Sequence, residues 1–254
     1  MPLSNLVLLI ILFAVTSAIG VVTGSNSLIT VPVMFQFDID PKIAVATNMF
    51  GLTFMNIGAT IPFLRQGIID QKKVSPLIII TLAASAIGAG LLLIITPQNI
   101  KLLVSIAMIC VTVFILFKRD GGIAEAAEIS GKARLLTYVL TFALGIYGGL
   151  YSGGYVTMLT AVYVAFFGMT FSESVASTKL INVFSSLIAS AIFMWQGLVD
   201  YKLGAILAIT MFIAAYFGAK VVTKLSDVWL KRIFITTVLI LAVKTLLDFF
   251  IYSV

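Results

Sequence analysis

A lysine stands in the middle of an apolar run at Lys179, within the stretch SVASTKLIN that covers residues 174–182. A lysine at mid-span costs about 2.5 to 3.5 kcal/mol on insertion scales, so it must face a protein interior or a water-filled cavity and meet a partner. No acid lies three or four positions away, where a helical ion pair would form; Glu173 is six residues back. Three partners therefore stay open: backbone carbonyls, an acid elsewhere in the chain, or an anion that the protein carries. Ser177, Thr178 and Asn182 accompany Lys179, and Asn182, three residues on, shares its helical face. Ser177 and Thr178 can face a ligand or bond the carbonyls of the preceding turn.

Two breaks offer further chemistry. Gly24-Ser25-Asn26-Ser27 and Ser152-Gly153-Gly154-Tyr155 each interrupt an apolar stretch of about 30 residues. A short helix starting after Gly24 or Gly154 would begin inside the membrane, with unpaired N–H groups and the positive end of its dipole facing the centre. Such ends attract anions. Ser25, Asn26 and Ser27 add neutral donors to the first break, and Tyr155 adds a hydroxyl to the second. The same glycines would also serve close helix packing. Thr47 and Asn48 are further candidates, with Asn56 two turns beyond Asn48 on one face. Gln66, Gln196, Asp70 and Asp200 fall at span ends and read as loop structure, and Asp38, Asp40 and Glu173 read as solvated loop charges.

The elements that position these residues follow from composition. The chain of 254 residues is 61% hydrophobic and 10% charged, with a mean hydropathy of +1.18, which places it in the bilayer. It lacks histidine, so the commonest metal ligand and proton shuttle near neutral pH are missing; no metal or cofactor is expected. The one cysteine, Cys110, has no partner for a disulfide and reads as a small buried hydrophobe. With no histidine, cysteine pair or facing acids inside the spans, no enzyme is expected. The net charge of +6 lies in short loops rather than on a stripe with aromatics, so nucleic acid is not a partner. The opening MPLSNLVLLIILFAVTSAIG resembles a signal peptide but lacks a basic n-region, and is taken as the first span.

Sliding the chain against itself by about 130 residues matches about 20 of roughly 98 positions, among them QGIID on QGLVD and IGA on FGA. The expected organisation is a first transmembrane repeat at 1–117, a charged linker at 118–134 and a second repeat at 135–254. Met49 is the counterpart of Lys179, so the site would carry one full charge and several neutral donors. Each repeat reads as a glycine-broken helical hairpin followed by three full transmembrane helices, starting near Pro41, Ser75 and Asn99, then near Ser172, Leu203 and Trp229. Asp40-Pro41, Thr96-Pro97 and Ser226-Asp227 supply capping groups. If each hairpin enters and leaves on one side, the topology is inverted between repeats, and about eleven positive residues face about four across the membrane; parallel repeats would give about nine against six. The inverted arrangement is the expectation, with the linker cytoplasmic and the termini external. Trp195 and Trp229 mark span ends. The fold class is thus an all-α integral membrane protein.

The stretches GIYGGLYSGGYVTML, ESVASTKLINVFSSLIASAIFMWQGLVDYKLGAILAI and YFGAKVVTKLSDVWLKRIF together resemble the second half of the sulfite exporter TauE/SafE family. The likeness extends over nearly the whole chain and is clearest from Gly145 to Phe234; the first break, GVVTGSNS, holds fewer glycines than the family's usual one. The resemblance implies a multi-pass permease of the bacterial or archaeal cytoplasmic (inner) membrane that moves small sulfur anions such as sulfite, thiosulfate or organosulfonates. It places Gly153, Gly154 and the Ser177-Thr178-Lys179 run near the anion path. An anion channel, or a membrane sensor or assembly subunit with a structural anion pocket, are the alternatives. The lipid bilayer is a certain partner, and a homodimer is left open.

Overall fold

The computed structural model describes residues 3–24, 26–104, 106, 110, 130–230, 232, 233 and 236. Six of its helices are long and apolar enough to cross a membrane: α1 (Leu3–Thr23), α3 (Pro41–Arg65), α4 (Gln71–Ile94), α5 (Gly131–Leu150), α7 (Phe171–Trp195) and α8 (Tyr201–Val222). Between α1 and α3 lies α2 (Ser27–Gln36), and between α5 and α7 lies α6 (Tyr155–Phe166). At 1.5 Å per residue these two reach about 15 and 18 Å, roughly half of a bilayer core. The protein is all-α, with no strand among the described residues.

Local sequence explains where the long helices start. Asp40 accepts the N–H groups of Lys42 and Ile43 at 2.8 and 3.3 Å, and Asp70 those of Lys72 and Lys73 at 3.0 and 3.3 Å. Asp200 does the same for Lys202 and Leu203 at 3.0 and 3.1 Å. Thr170 and Glu173 form a capping box at the start of α7. These acids are therefore engaged at helix starts, while Gln66 and Gln196 are C-caps.

Several boundaries move. Helix α4 starts at Gln71 rather than near Ser75, because Asp70 is the cap. Helix α5 starts at Gly131 under a Ser130 cap, so the last four residues of the expected linker are helical. The rest of that linker, 118–129, lies outside the described residues. So does most of the third full span of each repeat, although residues 97–104 and 227–230 are helical where those spans begin. Asp227 accepts the N–H of Ser172 at 3.2 Å, which ties the start of α7 to the helical residues 227–230. Cys110 is exposed, not buried; apolar neighbours surround a membrane helix on its lipid side as well as its core side, so they did not reveal which side it faced.

The 130-residue offset recurs in the backbone. The positive-φ residues among those described are Gly24, Asp38, Gly67, Gly154, Gly168 and Gly197, which form three pairs at that spacing. Helices α3 and α7, at 41–65 and 171–195, coincide under it residue for residue, as do the caps Asp40 with Thr170 and Asp70 with Asp200.

Helices α3 and α7 are the most buried of the long helices. They touch through Thr53 and Ser190, whose hydroxyls are 3.3 Å apart, and Thr47, nearer the start of α3, accepts at 3.0 Å the N–H of Asp200, the N-cap of α8 just past the end of α7. Position rises along α3 as it falls toward α7, so the two run antiparallel. The main lateral contacts join unlike parts of the two repeats: α3 with α8, α4 with α5 and with α7, and α1 with α8. Leu8, Ile11, Val15 and Ile19 stand exposed along α1, and Ile206, Ile209, Ile213, Phe217 and Val221 along α8; such stripes suit hydrocarbon, not water.

Small residues set the closest approaches. A Cβ on Gly88 would collide with the carbonyl of Ile146, and one on Gly149 with the backbone of Ser85. Ser85 seals the contact by donating to the Gly145 carbonyl at 3.1 Å. Gly218, the 130-residue counterpart of Gly88, lies against α1: a Cβ there would stand 2.7 Å from the Ala18 carbonyl oxygen. Gly88→Ala is expected to push α4 from α5 and to cost about 1–3 kcal/mol, read as earlier thermal unfolding in detergent. Gly90→Ala, with open space around it, is the control and is expected to unfold no earlier than the parent.

Candidate functional site

Helices α2 and α6 differ from the other described helices that follow a loop. Helices α3, α4, α5, α7 and α8 each start under a side-chain cap. At the N-caps of α2 and α6, Asn26 and Gly154 make no cap hydrogen bond. These two helices start in the buried interior, where water is not at hand to satisfy first-turn N–H groups.

Asn26 is engaged elsewhere. Its amide nitrogen donates to Ser17 Oγ at 2.9 Å and lies 3.2 Å from Met55 Sδ, and its oxygen faces the Thr16 hydroxyl at 3.3 Å. The side chain is thereby tied back to α1, and the helix start is left to its backbone.

The two breaks meet. The Tyr151 hydroxyl, at the end of α5, donates to the Ser27 carbonyl at 2.9 Å. Thr157, in the first turn of α6, donates to the Thr23 carbonyl at 2.5 Å. Gly24 holds φ +67°, and a Cβ on it would stand 2.6 Å from Val156 Cβ. Only glycine combines that backbone with that approach at little cost. Gly154, at φ +77°, starts α6 from the same left-handed region, and the Gly153 carbonyl accepts from the Tyr147 hydroxyl.

Lys179 reaches this junction from α7. It is 1% exposed, and its Nζ donates to the Gly20 carbonyl at 2.6 Å. Of the three partners open to it, the backbone carbonyl is the one it holds. That oxygen also accepts the Gly24 N–H at 2.9 Å and belongs to the last turn of α1, the negative end of a helix dipole. An ammonium has three donors, and among the described residues Gly20 is its one acceptor. Gly20 itself packs on Asn26: a Cβ there would stand 3.3 Å from Asn26 Cβ. On either side of Lys179, Ser177 Oγ and Asn182 Oδ1 are buried without a hydrogen-bond partner, each an omission of about 1–3 kcal/mol that a bound group with donors and acceptors would relieve.

The remaining candidates divide. Ser27 and Asn48 are joined, with Asn48 donating to Ser27 Oγ at 2.9 Å and accepting from Thr30 at 2.8 Å. Thr178 bonds back to the Val175 carbonyl at 2.9 Å. Thr47 is occupied by the Asp200 N–H. The Tyr155 hydroxyl points toward Thr81 and Ser185 without a hydrogen bond of its own, and Asn56 turns its amide to the Leu52 carbonyl of its own helix at 2.7 Å. Ser25 lies outside the described residues. The sequence reading missed Gly20, Tyr151, Thr16 and Ser17. Thr16, Ser17 and Gly20 share one face of α1 by their spacing, a small polar stripe in an apolar run, and that signal was available. Among the described residues no group of histidine, cysteine or acidic side chains could hold a metal ion.

This chain resembles known membrane proteins along nearly its whole length. The family model described as sulfite exporter TauE/SafE matches residues 8–245. A probable membrane transporter protein, ORF9, from a Sinorhizobium species is 23% identical over 89% of this chain and 87% of its own length. The probable membrane transporter protein YfcA of Escherichia coli K12 is 24% identical over 95% of this chain and 90% of its own. A probable membrane transporter protein of Haemophilus influenzae is 25% identical over 85% of both. No solved structure matches the chain.

Proposed function

The chain belongs to the sulfite exporter TauE/SafE family, and from that premise we propose that it is a secondary transporter of small sulfur-containing anions such as sulfite, thiosulfate or organosulfonates. The observation that carries this reading is the pair of uncapped helix starts beside a buried lysine. A sulfite or sulfonate group presents three oxygens around a compact negative charge. The Lys179 ammonium would attract it, the first turns of α2 and α6 would donate N–H groups to its oxygens, and the Ser177 hydroxyl would donate one more hydrogen bond.

Transport then needs the site to open alternately to each side. The antiparallel run of α3 and α7, with the 130-residue recurrence of backbone features, supports inverted repeats that rock about a shared site. In that arrangement the positive-rich linker side is cytoplasmic and the protein lies in the inner membrane. A potential that is negative inside favours outward movement of an anion by about 2.3 kcal/mol per charge per 100 mV, so export needs no coupling ion.

The test is uptake by proteoliposomes of the purified protein, offered sulfite, thiosulfate, taurine, sulfoacetate and sulfate separately. Saturable flux of at least one sulfur anion is expected, faster when the vesicle interior is made positive. Absence of flux for all five would sink the proposal, and single-channel currents would replace the transporter with an anion channel.

A further inference from the structure

The C-terminal ends of α3 and α8 enclose a cavity of about 240 Å³. Arg65, Lys220 and Lys224 line it, with Pro62, Tyr216 and Thr223. Among the described residues no carboxylate pairs with any of the three cations. Lys220 has aromatic company alone, its Nζ 5.0 Å from the centre of the Tyr216 ring. Three unpaired positive charges around one concavity repel one another and are best satisfied by an anion.

A cation near a helix C-terminus is also favoured by the helix dipole, whatever else is near it. The duplication supplies a control for that explanation. Shifted by 130 positions, Arg65, Lys220 and Lys224 fall on Trp195, Gly90 and Ile94, at the ends of α7 and α4. The last turns of α7 and α4 thus carry no basic residue of their own; Lys42 reaches the end of α4 and donates to the Leu93 carbonyl at 2.8 Å, so the last turn of α7 is the control, and there the dipole alone does not call for a cation.

What adjoins the cavity identifies the anion's class. Ile213, Phe217 and Val221 stand exposed at four-residue intervals along α8, 50%, 60% and 61% accessible. They form an apolar ridge that ends beside Lys220 and Lys224. We propose that this cavity binds the phosphate headgroup of an anionic phospholipid, with the acyl chains lying along the Ile213–Val221 ridge. Basic pockets between membrane helices at the positive-rich face fit such headgroups, and charge together with an adjoining hydrocarbon seat fits a lipid better than a soluble ion.

Native mass spectrometry and thermal unfolding of the full chain in detergent test this. The additions are phosphatidylglycerol, cardiolipin, phosphatidylethanolamine, and soluble glycerol 3-phosphate at equal phosphate concentration. Phosphatidylglycerol and cardiolipin are expected to be retained on the protein and to raise its unfolding temperature, the other two not. Each neutralising change among Arg65→Gln, Lys220→Gln and Lys224→Gln is expected to weaken lipid binding about fivefold, with Lys202→Gln at the opposite end leaving it unchanged. All three cations are exposed, so the variants keep the fold; unfolding without lipid at the parent's temperature verifies this. The proposal is overturned if phosphatidylethanolamine binds equally, if glycerol 3-phosphate gives the same shift, or if the triple variant retains the lipid.

Discussion

Lys179→Met is expected to abolish anion flux in proteoliposomes while leaving the protein folded. Methionine already occupies the counterpart position, at Met49, buried to the same 1% exposure, so the repeat demonstrates that this backbone site accommodates it. The Gly20 carbonyl is not orphaned by the change, because it keeps the Gly24 N–H at 2.9 Å. Removing a buried ammonium also removes its insertion cost of about 2.5 to 3.5 kcal/mol, so thermal stability is expected to hold or rise. Binding is another matter. Loss of a desolvated charge contact costs about 2–5 kcal/mol, or about 30- to 4,000-fold in affinity. Flux and binding titrations of the variant, beside its unfolding temperature, check both halves. Retained affinity for the transported anion would remove Lys179 from the site, whereas an unfolded variant would make its bond to Gly20 structural.

Gly24→Ala is expected to destabilise the protein and to impair transport, because it combines backbone strain with a steric clash at the junction of the two breaks. Alanine at φ +67° incurs about 1–2 kcal/mol of backbone strain. Its Cβ would also stand 2.6 Å from Val156 Cβ and 3.0 Å from the Thr157 nitrogen, an overpacking of about 1–3 kcal/mol. Together the loss is about 2–5 kcal/mol, and relief of the clash separates the α6 start from the end of α1. Gly67→Ala isolates the first contribution, since Gly67 has nearly the same φ, +68°, with nothing within 4 Å of an added Cβ. Equilibrium unfolding of both variants in mixed micelles, together with their flux, is the measurement. Gly24→Ala should be the less stable of the two and should transport poorly; equal stability would mean that the contact with Val156 relaxes freely.

Much of the architecture was legible in the residues. The apolar composition required a bilayer, and the glycine and small-polar runs at Gly24 and Gly154 marked helix interruptions where left-handed glycines now stand. Asp40, Asp70 and Asp200 wrote helix starts in the order of the chain, because a cap acts over two or three residues. The 130-residue recurrence was visible for the same reason: its matched glycines and aspartates are those whose local backbone duties cannot be traded for another apolar residue. Boundaries were misjudged where the cap was passed over, at Asp70 and Ser130.

The partner of Lys179 was beyond that reach. Gly20 lies 159 positions away and offers a carbonyl, which every residue has. The meeting of the two breaks, the turning of Asn26 onto α1, the exposure of Cys110 and the gathering of Arg65 with Lys220 and Lys224 are likewise matters of how helices rotate and cross. In a soluble helix, apolar periodicity gives that rotation away. In a membrane helix the lipid-facing and core-facing sides are both apolar, so the pattern that sets the lengths, breaks and order of the elements is nearly silent about which side faces inward. Sequence alone thus determined a glycine-interrupted membrane protein whose features recur at a 130-residue spacing, with a charge that needed company; tertiary packing, where small residues and close backbones choose the contacts, decided what keeps it company.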